Sequence, residues 1–282
     1  MIALIRTELF KAACRMRTLV IAGLLVGLPT LIVFAIKAHG RNRSIDDNGV
    51  GLFRLAQLSG YLVPAAVLSV MSGFLLVVIA GMFAGDSVAG DSAWGNLRYL
   101  LMRPVPRGRL LVAKAIVAGM LIWASTILVA GTALVGGIVV FGGKALTVPG
   151  FGPFATGSLS TGFHLGQGAL LLRLGIGTAY VAFSFTALLA LGTFFSILTD
   201  NAASAIGATV GVYIVSEILD GISQLGRVRY FFPTHYMDVW DLMFTDNRYS
   251  HDMITGVVVQ VVYFVVFGTL ALVWFRRKDI KS

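Results

Sequence analysis

The chain has 282 residues, of which 57% are hydrophobic and only 12% are charged. Soluble domains are roughly a quarter charged, so this composition excludes an ordinary soluble fold and predicts an integral membrane protein with several spans. The net charge of +9 does not indicate a nucleic-acid partner, because basic residues commonly anchor the cytoplasmic loops of membrane proteins. The single cysteine, Cys14, excludes an intramolecular disulfide framework.

Residues 2–17 precede the first long apolar stretch and have the pattern of an amphipathic helix. Apolar residues recur at helical spacing from Ile2 to Met16, and basic residues fill another side of the same helix. The basic residues are Arg6, Lys11, Arg15 and Arg17. We predict that residues 1–17 form a helix that lies in the inner membrane interface and contacts lipids. The alternative is a basic flank of the first span.

Residues 18–282 are predicted to form a transmembrane domain with six spans. Each of six apolar stretches is long enough to cross a hydrocarbon core of ~30 Å, which needs about 20 helical residues. The predicted spans are 18–36, 60–84, 111–141, 169–198, 202–220 and 254–275. The third and fourth exceed the required length, so we expect them to tilt, to kink at glycines or to project from the bilayer. The predicted fold class is therefore an all-α integral membrane protein.

The distribution of basic residues predicts that both termini are cytoplasmic. In that orientation the N-terminal arm, residues 85–110, the turn at 199–201 and the C-terminal tail all lie inside. Together with Lys114 at the start of the third span, these segments carry 13 basic and 5 acidic residues, whereas the rest of the chain carries 9 and 8. Because basic residues accumulate on the cytoplasmic side of membrane proteins, this orientation fits the sequence best.

Three segments are then predicted to lie outside. Residues 37–59 are polar and charged, and residues 142–168 are rich in glycine, serine and proline, which predicts an irregular loop. Residues 221–253 contain many aromatic side chains, which favour the headgroup level of a membrane. We expect short helices or re-entrant turns on the outer surface there.

The sequence contains no recognised catalytic or nucleotide-binding motif. It lacks the G-x-x-x-x-G-K-[ST] loop that holds nucleotide phosphates and the H-E-x-x-H motif of zinc hydrolases. Acidic and histidine side chains do cluster in the aromatic segment, but without a recognised spacing of metal ligands. They are His235, Asp238, Asp241, Asp246, His251 and Asp252. We expect a chain that is not an enzyme and holds no metal or cofactor of its own.

Charged residues also occur inside two predicted spans. Arg173 lies near the outer end of the fourth span, and Glu217 and Asp220 lie near the outer end of the fifth. Charges are costly within a membrane and usually face a partner or a cavity. Because the predicted topology places these residues at a similar depth, we expect an ion pair of Arg173 with an acid, or a polar outer gate.

The segment between the second and third predicted spans carries a family resemblance. Residues 91–114 read DSAWGNLRYLLMRPVPRGRLLVAK, which resembles the cytoplasmic signature of ABC type-2 transporter permeases. The matching positions are Asp91, Gly95, Leu97 to Leu101, Arg103 to Val105, Arg107 and Lys114. Asp91 stands where the family often has glutamate, and Asn96 where it often has threonine. The six spans, the basic N-terminal helix and the stretch PTHYMDVW at 233–240 are similar to the family as well.

The resemblance implies a permease subunit of an ATP-binding-cassette exporter in the bacterial plasma membrane. Such a subunit pairs with a second permease chain, identical or different, and docks two separate ATPase subunits that bind the ATP. The cytoplasmic segment 85–110 would couple their motion to outward transport. The resemblance assigns the coupling contacts to Asp91, Gly95, Leu97, Arg98, Leu100, Leu101 and Arg103, with the leucines offering an apolar face to the partner. The alternative role of this segment is to anchor the lipid surface.

Two other functions stay open on the sequence alone. An arginine–acid pair is compatible with an ion- or proton-coupled secondary transporter, although no acidic relay at the membrane midplane supports that function. A membrane-anchored assembly or sensor protein would use the same spans without transport. The sequence does not identify a substrate.

Overall fold

A computed structural model describes residues 1–39, 56, 59–93, 106–143, 146–148, 163–244 and 249–277, and these residues are almost entirely helical. The helices are α1 (Ile2–Ala13), α2 (Met16–His39), α3 (Val63–Gly73), α4 (Leu75–Ala93), α5 (Arg107–Phe141), α6 (Gln167–Leu198), α7 (Ala202–Gly221) and α8 (Tyr249–Arg277). One 3₁₀ turn, Gly60–Leu62, leads into α3. Three more follow α7, at Ser223–Phe231, Pro233–Tyr236 and Val239–Phe244.

Six of these helices are long and apolar enough to cross a membrane, which confirms the predicted number of spans. The qualifying segments are Met16–Ala38, Leu75–Ser92, Gly108–Phe141, Gln167–Leu198, Ala202–Gly221 and His251–Arg277. Apolar side chains such as Phe34, Ile218 and Val258 are largely exposed on α2, α7 and α8. Helices with such surfaces suit a hydrocarbon surrounding rather than water. The protein therefore has the architecture of a multi-pass membrane protein.

The second span differs from its prediction. The stretch predicted at 60–84 is divided into α3 and α4 by a break at Phe74, whose φ of −138° and ψ of −60° are not helical. The helix α4 then continues to Ala93, so the first part of the predicted loop 85–110 is helical. The sequence suggested an earlier end because Asp86 and Asp91 lower the local hydropathy. In the folded chain both carboxylates meet basic side chains, and the helix is not interrupted.

Residues 142–168 were predicted to be an irregular loop, and that prediction is wrong in part. Two short strands, β1 (Leu146–Val148) and β2 (Phe163–Leu165), pair antiparallel, with Thr147 opposite His164. The prolines on which the prediction rested, Pro149 and Pro153, lie outside the described residues. A pair of short strands therefore lies between α5 and α6, where the sequence predicted only an irregular loop.

The long helix α5 runs from Arg107 to Phe141 without an interruption, so its glycines do not break it. Gly137 instead permits a close backbone approach, because a Cβ at Gly60 or at Gly137 would overlap the backbone of the other residue. The amide of Gly60 also donates a hydrogen bond of 3.3 Å to the carbonyl of Gly142. These contacts place the start of α3 against the end of α5.

The helix α6 forms the centre of the bundle, packing against α4, α5, α7 and α8. Phe185 and Ile197 on α6 are almost fully buried, whereas α2, α7 and α8 are the most exposed spans. The helix α1 packs against α2 and α5, and the 3₁₀ turns after α7 pack against α6, α7 and α8.

Candidate functional site

Charged side chains from α1, α2, α4 and α5 converge at the end of the bundle where α4 finishes and α5 begins. We call this group the ionic junction, and its members are Glu8, Lys11, Arg15, Arg17, Asp86, Asp91 and Lys114. The end of α8 reaches the same place, since a Cβ at Gly108 would lie 3.5 Å from Nη2 of Arg276. The junction thus joins segments that are distant in the sequence.

Asp91 is the most buried member of the junction, with 3% of its side chain exposed. Its carboxylate contacts the ammonium of Lys114, and its Oδ1 lies 2.9 Å from Nζ of Lys11 and 3.6 Å from Nη2 of Arg15. Lys114 is also buried and lies 3.3 Å from Oε2 of Glu8. A buried carboxylate with three cationic neighbours is well compensated, which buried charges require.

Asp86 forms the second centre of the junction. Its Oδ2 accepts a hydrogen bond of 2.8 Å from Nη1 of Arg15 and also contacts the guanidinium of Arg17. Gly90, one turn further along α4, leaves room for this carboxylate, because a Cβ at position 90 would overlap it. The position of Asp86 therefore depends on a residue without a side chain.

The side chains of the junction leave little empty space between them. A cavity of about 50 Å³ lies among its side chains, which is space for water molecules and far below the ≈ 300 Å³ at which ligand pockets begin. The end of α4 is also fastened to α6, since the amides of Val88 and Ala89 donate to the buried hydroxyl of Ser196 over 2.9 and 2.8 Å. Movement at the end of α4 must therefore displace several helices.

Most of the coupling residues expected from the resemblance lie outside the described residues. These are Gly95, Leu97, Arg98, Leu100, Leu101 and Arg103. Asp91 is described and lies near the end of α4. Its carboxylate is already enclosed by Lys11, Arg15 and Lys114 of the same chain.

The sequence did not predict the partners of Asp91. The basic residues of the N-terminal helix suggested instead a side of that helix that faces lipid. Lys11 and Arg15 instead face α4, while the apolar side chains of Ile2 and Phe10 are exposed. The available signal was the pair of acids, Asp86 and Asp91, at the end of an apolar stretch. Acids in such a position need cations, and the N-terminal arm is a nearby source.

The predicted ion pair of Arg173 with Glu217 or Asp220 is wrong among the residues that the structure describes. Nη1 of Arg173 donates to the carbonyl oxygen of Met243, because this part of α6 faces the turn Val239–Phe244. Asp220 lies 3.4 Å from Nε of Arg229 and 2.7 Å from Nδ1 of His235. The two helices direct their charges to different turns, although the depth expected from the sequence was similar.

At the end of the bundle opposite the ionic junction, the turns after α7 form a compact cap. We call residues 231–237 the aromatic cap. Side chains of α6 and α8 hold its backbone, since the hydroxyl of Tyr180 donates to the carbonyl of Tyr236 over 2.7 Å and Nε2 of Gln260 donates to the carbonyl of Pro233 over 2.9 Å. The hydroxyl of Tyr263 donates to the carbonyl of Phe231 over 3.0 Å. These three bonds are neutral, and Nδ1 of His235 in the cap also lies 2.7 Å from Oδ1 of Asp220.

Burial raises the pKa of two acids near the cap, Asp238 and Asp241. Burial, with a further contribution from the nearby Asp238 carboxylate, raises the pKa of Asp241 to about 7. Of the acid and histidine cluster expected in this segment, Asp246 lies outside the described residues. Within the described part of the chain, no three histidine, cysteine or acidic side chains converge as metal ligands.

The fold and the two ends of the bundle define a multi-pass α-helical membrane protein. A family model matches residues 51–281, and its description is a protein of unknown function, DUF2705. Since the match covers most of the chain, the chain belongs to the DUF2705 family. A search of curated proteins found no match.

Proposed function

We propose that the chain is the permease subunit of an ATP-binding-cassette exporter in the bacterial plasma membrane, with both termini in the cytoplasm. The observation that carries this proposal is the pairing of Asp91 with Lys114. These residues lie on the two sides of the segment 94–105, which joins α4 to α5. The segment that resembles the coupling element of ABC type-2 permeases is therefore attached to the bundle by a buried ion pair.

The ionic junction gives that segment a route to the rest of the chain. A push from an ATPase subunit on residues 94–105 would move α4 and α5 together, because Asp91 and Lys114 are bound to each other. Lys11 would draw α1 along, and Ser196 would transfer the motion to α6. ATP binding and hydrolysis take place on the partner, and this chain supplies no catalytic group.

The surface of α1 supports its proposed place at the membrane interface. Ile2 and Phe10 are 85% and 72% exposed, which is unfavourable in water and favourable in the boundary between headgroups and acyl chains. Lys11 and Glu8 on the same helix turn towards the junction. In this proposal the apolar side of α1 contacts lipids, and its charged side binds the ionic junction.

A tagged full-length chain purified from native membranes tests the proposal. We expect an ATP-binding-cassette ATPase and a second permease chain to co-purify, and the reconstituted complex to couple ATP turnover to efflux. Leu100→Asp places a charge in the expected apolar docking face, so binding of the ATPase should fall by at least about tenfold, or about 1.4 kcal/mol. Arg107→Ala is the control, because its effect should fall mainly on lipid anchoring.

The same experiment separates the alternative functions. Full ATPase binding and ATP turnover by Leu100→Asp would contradict the coupling role of this segment. Uptake driven by a proton gradient in liposomes that hold the chain alone would favour a secondary transporter. If no ATPase co-purifies and no transport is found, a membrane-anchored assembly or sensor protein becomes the better description.

A further inference from the structure

A cavity of about 200 Å³ lies beneath the aromatic cap, between α6, α7 and α8. Its walls are almost entirely apolar and include Leu188, Val215, Pro233, Tyr263 and Phe267. Apolar cavities of ~150 Å³ stay dry and accept a benzene-sized ligand. The cavity is therefore large enough for an apolar group and unsuited to water.

We propose that this cavity binds the ester-linked acyl chain of a membrane lipid, with the aromatic cap as its roof. A lipid can reach the cavity from the side of the bundle. Val212 and Val215 form part of the α7 wall and are 45% and 55% exposed. On a span of a membrane protein such residues face lipid, so the neighbour that can enter between them is a hydrocarbon chain.

Two hydroxyl groups lie at the rim of the cavity. The hydroxyls of Ser216 and Thr234 lie 2.8 Å apart, and both residues are buried. One hydroxyl donates to the other, which leaves the accepting hydroxyl with its own proton to donate. An ester carbonyl is a hydrogen-bond acceptor without a charge, and it suits such a donor. An apolar cavity with a hydroxyl donor at its rim matches an acyl ester.

The aromatic cap, which covers the cavity, is held to the surrounding helices by hydrogen bonds. Phe232, Pro233, Thr234 and Met237 of the cap line the cavity, and the cap is tied to the three wall helices by hydrogen bonds. Each neutral bond contributes only a small part of the stability of the fold. An acyl chain that enters between the helices can therefore loosen the roof by separating these neutral bonds. The inference concerns lipid binding and does not depend on the proposed export function.

Photolabelling of the full-length protein in phosphatidylglycerol nanodiscs tests the inference. The probe is a phosphatidylglycerol with a diazirine near the end of one ester-linked acyl chain, and the labelled residues are mapped by mass spectrometry. We expect adducts on the buried Leu188 and the half-buried Phe267, besides those on the exposed Val258. Ala187→Leu adds bulk to the wall and should lower labelling of these two residues by at least about tenfold, or about 1.4 kcal/mol, with Val258 unchanged.

A second pair of variants protects the test against misfolding of the first. Val215→Trp enlarges an exposed wall residue and should also lower the labelling inside the cavity. Val258→Trp, which is equally exposed but lies outside the cavity, should not. Ser216→Ala should weaken labelling by the ester probe about two- to tenfold and leave labelling by an ether-linked analogue unchanged.

Three results would overturn the inference. The first is labelling of Val258 without any adduct on Leu188 or Phe267. The second is cavity labelling that neither Ala187→Leu nor Val215→Trp reduces, because the probe then reports general contact with lipid. The third is an absence of cavity labelling together with disulfide formation between two chains that carry Val215→Cys and Cys14→Ser. That result would show a second copy of the chain against this wall.

Discussion

The two ends of the bundle are held together by different chemistry. At the ionic junction, charged side chains from four helices bind one another around a cavity of about 50 Å³. At the aromatic cap, neutral side chains bind backbone carbonyls above a cavity of about 200 Å³. Even the acid Asp241 near the cap is shifted towards its neutral form, since burial raises its pKa to about 7.

This difference predicts that the two ends of the molecule resist separation to different degrees. Removing one partner of a buried ion pair costs ~3–5 kcal/mol, because the other charge is left uncompensated. Breaking a neutral hydrogen bond costs only ~0.5–1.5 kcal/mol. The ionic junction is therefore suited to transmit motion without separating. The aromatic cap is suited to move. Substitutions at the two ends should differ accordingly.

The largest effect is expected at Asp91. Asp91→Ala leaves the buried ammonium of Lys114 without its closest acid, so the free energy of unfolding should fall by ~3–5 kcal/mol. The double variant Asp91→Ala/Lys114→Met removes both charges and should recover most of this loss. Thermal unfolding of the purified proteins, followed by the loss of monodisperse protein on size-exclusion chromatography, measures both. Additive losses in the double variant would contradict a direct pair.

A smaller loss is expected at Gly90. Gly90→Ala should lower the free energy of unfolding by ~1–3 kcal/mol, because the new methyl group overlaps the carboxylate of Asp86. Gly207→Ala is the matched control, since position 207 is also inside a helix and a Cβ there meets nothing within 4 Å. In an Asp86→Ala background the loss at position 90 should disappear. Equal effects of the two glycine substitutions would mean that the carboxylate is not confined by this contact.

The six spans could be predicted from the sequence because the length of an apolar stretch is a local property. The ionic junction could not, because its pairs join residues as distant as Lys11 and Asp91 or Glu8 and Lys114. Hydropathy also placed the end of the second span too early. It counts Asp86 and Asp91 as polar wherever they lie, whereas paired acids permit the helix to continue.

The polar contacts of the cap were beyond the sequence for a related reason. The aromatic content of 221–253 predicted short helices or turns, and the 3₁₀ turns at Ser223–Phe231, Pro233–Tyr236 and Val239–Phe244 confirm that part. The expected partner of Arg173 was an acid of similar depth, yet its partner is the carbonyl of Met243. Backbone carbonyls carry no signature in a sequence, so such bonds appear only when the fold is known.

The smallest effect, at Tyr180, sharpens the comparison most. Tyr180→Phe removes only the hydroxyl that donates to the carbonyl of Tyr236, so global stability should fall by ~0.5–1.5 kcal/mol. Hydrogen exchange of the cap amides should rise by the equivalent factor of about 2 to 13, while amides at the ends of α4 and α5 keep their rates. Tyr230→Phe is the control, because its ring is exposed and forms no hydroxyl hydrogen bond within the described structure. If exchange instead rises equally at the cap and at the ionic junction, the two ends open as one unit. The hypothesis of a rigid junction and a movable cap is then wrong.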